Sequence, residues 1–131
     1  MIAKLVKGKE KYLYRVSMIL FGIVFLMHGL MKFGIPGDMM VASLSMMWWA
    51  GVIEIVVGVM LIGGLFVRLG ALFGAIEMLV AFFMVHAPNG LNPLQNNGEP
   101  AVLFFAAFLI FLAYGNGPGS LEKMLLKKEH F

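Results

Sequence analysis

The stretch MMWWAGVIEIVVGVMLIGGLF, residues 46–66, carries one charged residue, Glu54, in 21. An apolar run of about 20 residues matches the hydrocarbon thickness of a bilayer, so this segment predicts a transmembrane helix. Trp48 and Trp49 at its start suit a headgroup-level anchor. Working outward, three further apolar segments predict helices over about 16–33, 69–87 and 100–115, the last somewhat short for a span. Breakers separate them. Gly34-Ile35-Pro36-Gly37-Asp38 reads as a turn, with Asp38 as an N-cap and residues 39–46 lying along the interface. Gly63-Gly64-Leu65 and Arg68 mark a very short turn, and 88–98 is a polar loop. Pro100 opens the last helix, where proline is welcome, and the glycine-rich stretch 115–119 closes it. The expected fold is all-α: an integral membrane four-helix bundle.

Composition agrees. Of 131 residues, 61% are hydrophobic and 13% charged, against about 45–50% and about 25% in soluble domains. A soluble fold of this size has no way to bury so much apolar surface. The basic residues give orientation. Lys4, Lys7, Lys9, Lys11, Arg15, Arg68, Lys123, Lys127 and Lys128 fall on one side, and only Lys32 on the other. The richer side is expected to be cytoplasmic, which places both termini inside. Arg15 and Arg68 read as boundary residues. The chain then divides into a basic cytoplasmic arm (1–15), a four-helix membrane domain (16–115) and a basic cytoplasmic tail (116–131) in the plasma (inner) membrane. No basic face exists apart from these ends, which argues against nucleic acid. With no cysteine, neither a disulfide framework nor a thiol relay is carried by this chain.

Glu54 and Glu77 lie within spans. A mid-helix carboxyl costs about 2.5–3.5 kcal/mol on insertion scales, so it faces protein or a cavity. The spacing supports this. Gly51, Glu54 and Gly58 share one stripe, and Gly70, Gly74, Glu77 and Ala81 another; small residues let helices approach closely. His28 and Lys32 are one turn apart on the first helix. His86 ends the third helix, and Glu99 opens the fourth, where the helix dipole favours an anion. Together these six residues predict a polar cavity in the outer half of the bundle. Each also has a plainer reading: Lys32 snorkelling to the surface, His28 packed in the core, His86 interfacial, Glu99 a helix-terminal charge, the glutamates locking helices by hydrogen bonds. The methionines and phenylalanines read as lipid-facing or core residues.

In order and spacing, these elements resemble the DoxX family of small four-helix membrane proteins. The likeness rests on Arg15, His28-Gly29, Lys32, Gly51, Glu54, Gly58, Gly64-Leu65, Arg68, His86, Asn97-Gly98-Glu99 and the run Gly115-Asn116-Gly117-Pro118-Gly119-Ser120. It covers about 15–122. That family usually carries an aspartate after the final Ser-Leu, where this chain has Glu122. The resemblance implies a link to thiosulfate:quinone oxidoreductase subunits or to thiol-redox complexes, without transferring a substrate.

The leading expectation is therefore a quinone-linked membrane redox subunit, with quinone held near His28, Lys32, Glu54, Glu77, His86 and Glu99. The alternative is a non-enzymatic binding, assembly or transport subunit. Partners are the lipid bilayer and either redox subunits or further copies of the chain. A metal site fits less well. The Glu-x-x-His pair of di-iron bundles is missing, and His86 falls nine residues after Glu77, half a turn round an ideal helix. Met27, His28 and Met31 offer soft ligands, but methionine is abundant throughout.

Overall fold

A computed structural model describes residues 1–38 and 40–130. Among these the chain is all-helical, with one isolated bridge between Phe33 and Met40. A short α1 (Ile2–Val6) precedes α2 (Glu10–Lys32), α3 (Met46–Gly63), α4 (Val67–Ala81), α5 (Glu99–Tyr114) and a short α6 (Leu121–Leu126). After α4 the helix continues as a π-helical turn, Phe82–His86, and a 3-10 turn, Ala87–Asn89. Three helical runs, Glu10–Lys32, Met46–Gly63 and Val67–Asn89, are long and apolar enough to cross a membrane. α5 is apolar but shorter, 16 residues.

The boundaries depart from expectation in two places. α2 starts at Glu10, within the segment read as an arm, because nothing between Glu10 and Arg15 breaks a helix. α3 is capped by Ser45 and not by Asp38: the Ser45 hydroxyl accepts the Trp48 N–H at 3.2 Å, satisfying one orphan donor of the first turn.

α2 and α3 pack antiparallel through glycines. A Cβ on Gly22 would sit 3.0 Å from the Gly58 carbonyl oxygen, and one on Gly29 2.8 Å from that of Gly51. The stripe expected on α3 therefore meets a matching one on α2, at the same seven-residue spacing. On α4, Gly74 receives the ring of Phe108 from α5, and Gly70 faces Met60 of α3. The core is Met18, Phe25, Val57, Leu61, Ala71, Ala75, Phe104 and Phe108, with their neighbours. Leu20, Val24, Val56, Leu72, Phe73, Ile76, Leu103 and Ile110 are exposed around the outside. Such a girdle is unfavourable in water and favourable in lipid.

The ends of the helices nearest the two termini are tied together by ions. Arg15, read from sequence as a boundary residue, is buried. Its guanidinium donates to the carbonyls of Leu61 and Ile62 at 2.7 and 2.6 Å. Those carbonyls are orphans of the last turn of α3, so an α2 side chain finishes α3. Gly64, at φ +67, supplies the left-handed cap. Phe66 also adopts a left-handed conformation, at φ 45, uncommon for a bulky residue. It donates its N–H to the carboxylate of Glu122 at 3.0 Å. Glu122 is fully buried and also accepts from Asn116 Nδ2 at 2.6 Å and the His130 N–H at 2.5 Å. The tail is thus folded back as part of the structure. Arg68 joins it through Glu129, at 2.9 Å, and the Leu112 carbonyl, at 3.1 Å.

Candidate functional site

At the end away from the termini the helices splay around a cavity of about 310 Å3. All four long helices contribute. α2 supplies Phe25, His28 and Lys32, and α3 supplies Ala50 and Glu54. The α4 run adds Glu77 and His86, and α5 Ala101 and Phe104. Five of the six residues singled out from the sequence therefore line one space. The sixth, Glu99, is exposed and does not line it; Asn97 and Pro100, on either side of it, do.

Lys32 and Glu54 form an ion pair across the α2–α3 seam, Nζ to Oε2 2.5 Å. Their side chains are 15% and 6% exposed, so lipid and water are largely excluded from the pair. The geometry follows from the glycine packing. A Cβ on Gly51 would lie 3.2 Å from Lys32 Cβ and 2.8 Å from the Phe33 ring, so the glycine gives the lysine room to run along α3 toward Glu54. The snorkelling alternative for Lys32 is set aside by this contact. His28, one turn below, stands edge-on to Phe104 with ring centroids 5.6 Å apart.

Glu77 differs. Both carboxyl oxygens are buried, and neither has a hydrogen-bond partner. The reading in which Glu77 locks two helices by hydrogen bonding is corrected here. Its glycine stripe brings α5 close, with the Phe108 ring seated on Gly74, one turn before Glu77. Glu77 lines the cavity, with both carboxyl oxygens packed out of contact with water.

His86 reaches the same cavity, although nine residues of ideal helix after Glu77 would turn it away. The π-helical turn Phe82–His86 accounts for this: its wider i to i+5 bonding changes the angular register. π-turns often occur at functional positions. His86 Nδ1 lies 3.1 Å from the Asn96 carbonyl oxygen. Asn96 is a residue that the sequence reading missed. It is buried, donates from Nδ2 to the Gly90 carbonyl at 2.7 Å and accepts the Gly98 N–H at 2.7 Å. It holds the 88–98 loop in its fold, and Asn97 of that loop lines the cavity. Its only sequence signal was its place in the polar run Gln95-Asn96-Asn97-Gly98. Met27 and Met31 are exposed on α2. Among the described residues no three His, Cys, Asp or Glu side chains come close enough to hold a metal ion.

Apolar helices of spanning length around a cavity walled by rings and holding buried carboxyls define a class: a multi-pass helical membrane protein with a largely apolar interior cavity that carries a few ionisable side chains. The DoxX family profile matches residues 16–87, more than half of the chain, and the protein belongs to that family. It is also 36% identical over 113 residues to an uncharacterized protein of Haemophilus influenzae, covering 80% of this chain and 84% of that relative. No solved structure matches it.

Proposed function

We propose that this chain is a four-helix bundle of the inner membrane, with both termini cytoplasmic, whose cavity binds a quinone for a membrane redox complex. The observation that carries this reading is Glu77: a carboxyl with two buried, unpartnered oxygens, on a residue that lines an apolar cavity together with Lys32 and Glu54. Ligand sites are mostly apolar cavities of about 300–1,000 Å3 with a few placed polar groups. A quinone ring needs such a slot and a hydrogen-bonding group at each carbonyl oxygen, which the residues present fit.

When bound, a quinone supplies two-electron, two-proton redox chemistry. Phe25 and Phe104 exclude water and offer ring faces. Lys32 Nζ has donors left over after its bond to Glu54, since an ammonium carries three. Glu77, when protonated, donates from its carboxyl and can hold or release that proton. His28 from α2 and His86 from the end of the α4 run also line the cavity, and His86 is bonded to the 88–98 loop. With no cysteine in the chain, electrons would come from a partner redox subunit.

Glu77→Leu tests the reading. A buried polar group without a partner costs about 1–3 kcal/mol, so leucine is expected to raise thermal stability in detergent by that amount. The same change is expected to abolish the stabilisation that a short-tailed quinone gives the wild type. Glu77→Gln keeps a hydrogen-bonding head and is expected to retain quinone stabilisation. A quinone effect that survives in Glu77→Leu would contradict the assignment and favour a binding or assembly role without quinone.

Orientation has its own check. Reporter fusions at both ends are expected to show cytoplasmic activity only, from the nine-to-one split of basic residues. Periplasmic activity from both fusions would reverse the topology and place the cavity in the cytoplasmic half, and from one fusion alone would mean an odd number of spans.

A further inference from the structure

A second cleft lies at the opposite end of the molecule, and the quinone reading does not use it. Its volume is about 650 Å3, and it opens in the seam between α2 and α5, under the folded-back tail. Glu10, Lys11 and Tyr14 of α2, Ile110 and Tyr114 of α5, and the 116–118 turn with Lys123 enclose it. We propose that this cleft binds the headgroup of an anionic phospholipid from the leaflet that surrounds it.

Charge supports the assignment first. Lys11 and Lys123 stand on two different elements and face one space. Lys11 Nζ lies 5.1 Å over the Tyr12 ring and has no ion-pair partner among the described residues. Lys123 Nζ reaches Glu129 Oε2 only at 3.8 Å and the Asn116 carbonyl at 3.5 Å, so both ammonium groups keep donors to spare. With Glu10 the lining carries a net charge of +1, which matches the single negative charge of a phosphodiester.

The shape of the cleft then selects a lipid over a soluble anion. Its far side is Ile110 and Tyr114, 50% and 71% exposed on the lipid-facing side of α5. An acyl chain would continue along them, whereas a free phosphate has no use for apolar walls. The Tyr14 hydroxyl donates to the Gly115 carbonyl at 2.6 Å and so fixes the upper edge of the seam. The flanking helices are built for the same surface. α1 buries none of its residues and exposes Ile2 and Leu5 around Lys4. α6 exposes Met124 and Leu125 next to Lys123. Apolar side chains interleaved with lysines are the pattern of interfacial helices on anionic membranes, and basic pockets between membrane helices hold anionic headgroups.

The test uses the full chain in mild detergent, with lipid retention read by native mass spectrometry and thermal shift. Phosphatidylglycerol, phosphatidylcholine of the same acyl chains, and inorganic phosphate are compared. The wild type is expected to prefer phosphatidylglycerol by roughly tenfold or more. The double change Lys11→Gln with Lys123→Gln is expected to reduce that preference to within about twofold. Lys127→Gln with Lys128→Gln removes the same charge outside the cleft and is expected to leave the preference intact. The proposal is overturned by equal retention of the two lipids in the wild type. Equal losses in both double variants would also overturn it, because they would show diffuse attraction. So would a shift with inorganic phosphate as large as that with phosphatidylglycerol.

Discussion

Lys32→Met is expected to cost about 3–5 kcal/mol of stability, the range for breaking a buried pair by removing one partner. The physical reason is the stranded Glu54. Its side chain is 6% exposed, and in the wild type its Oε2 sits against the Lys32 ammonium. Methionine fills the space of the lysine stem but leaves the carboxyl facing apolar walls. Adding Glu54→Gln removes the charge that was stranded, so the double variant is expected to recover much of the loss. A double-mutant cycle on thermal unfolding in detergent measures the coupling. Additivity within about 0.5 kcal/mol would mean that the pair does not interact, and the site would have to be rebuilt around Glu77 alone.

The second large effect is expected far from the cavity. Glu122→Leu removes the acceptor for the Phe66 N–H and for Asn116 Nδ2, both in the buried tie between the tail and the α3–α4 turn. At about 1–3 kcal/mol per abandoned buried donor, the loss is expected to reach about 3–5 kcal/mol. Arg15→Leu is expected to cost a similar amount, because the carbonyls of Leu61 and Ile62 lose their shared cation. The two effects should be less than additive, since both residues hold the same turn. Arg15→Lys should recover only part of the loss: an ammonium lacks the fork that reaches two carbonyls at once. Thermal unfolding in one detergent checks all four variants. A loss below about 1 kcal/mol for Glu122→Leu would show that the tail is not integral to the fold.

The apolar helices and the clustering of ionisable groups could be read from the sequence because lipid imposes simple rules. Long apolar runs must be helices, and charges within them must face inward. That logic grouped His28, Lys32, Glu54, Glu77, His86 and Glu99, of which all but Glu99 line one cavity. What it missed had local causes. The π-turn at Phe82–His86 leaves no compositional mark, so the half-turn argument that separated His86 from Glu77 failed. Asn96 looked like one more loop asparagine, and only the fold reveals that it is buried. Arg15, Arg68 and Glu122 look like ordinary boundary charges in sequence, yet they bind backbone groups 46–56 residues away for Arg15 and Glu122, and 44 for Arg68. Periodicity carries no information about such ties. Glu77 was placed on a face that packs against α5, but its lack of a partner depends on which side chains the facing helices present.

The central claim is that the cavity holding Glu77 and the Lys32–Glu54 pair takes a quinone. It is tested most directly by extracting gently purified protein with organic solvent and quantifying quinone by mass spectrometry. Wild type is compared with Ala101→Phe, which fills the cavity from α5. The account predicts quinone at near one equivalent per chain in the wild type and its loss in Ala101→Phe, with both proteins folded by circular dichroism. Quinone absent from both proteins, or retained equally by both, would contradict it.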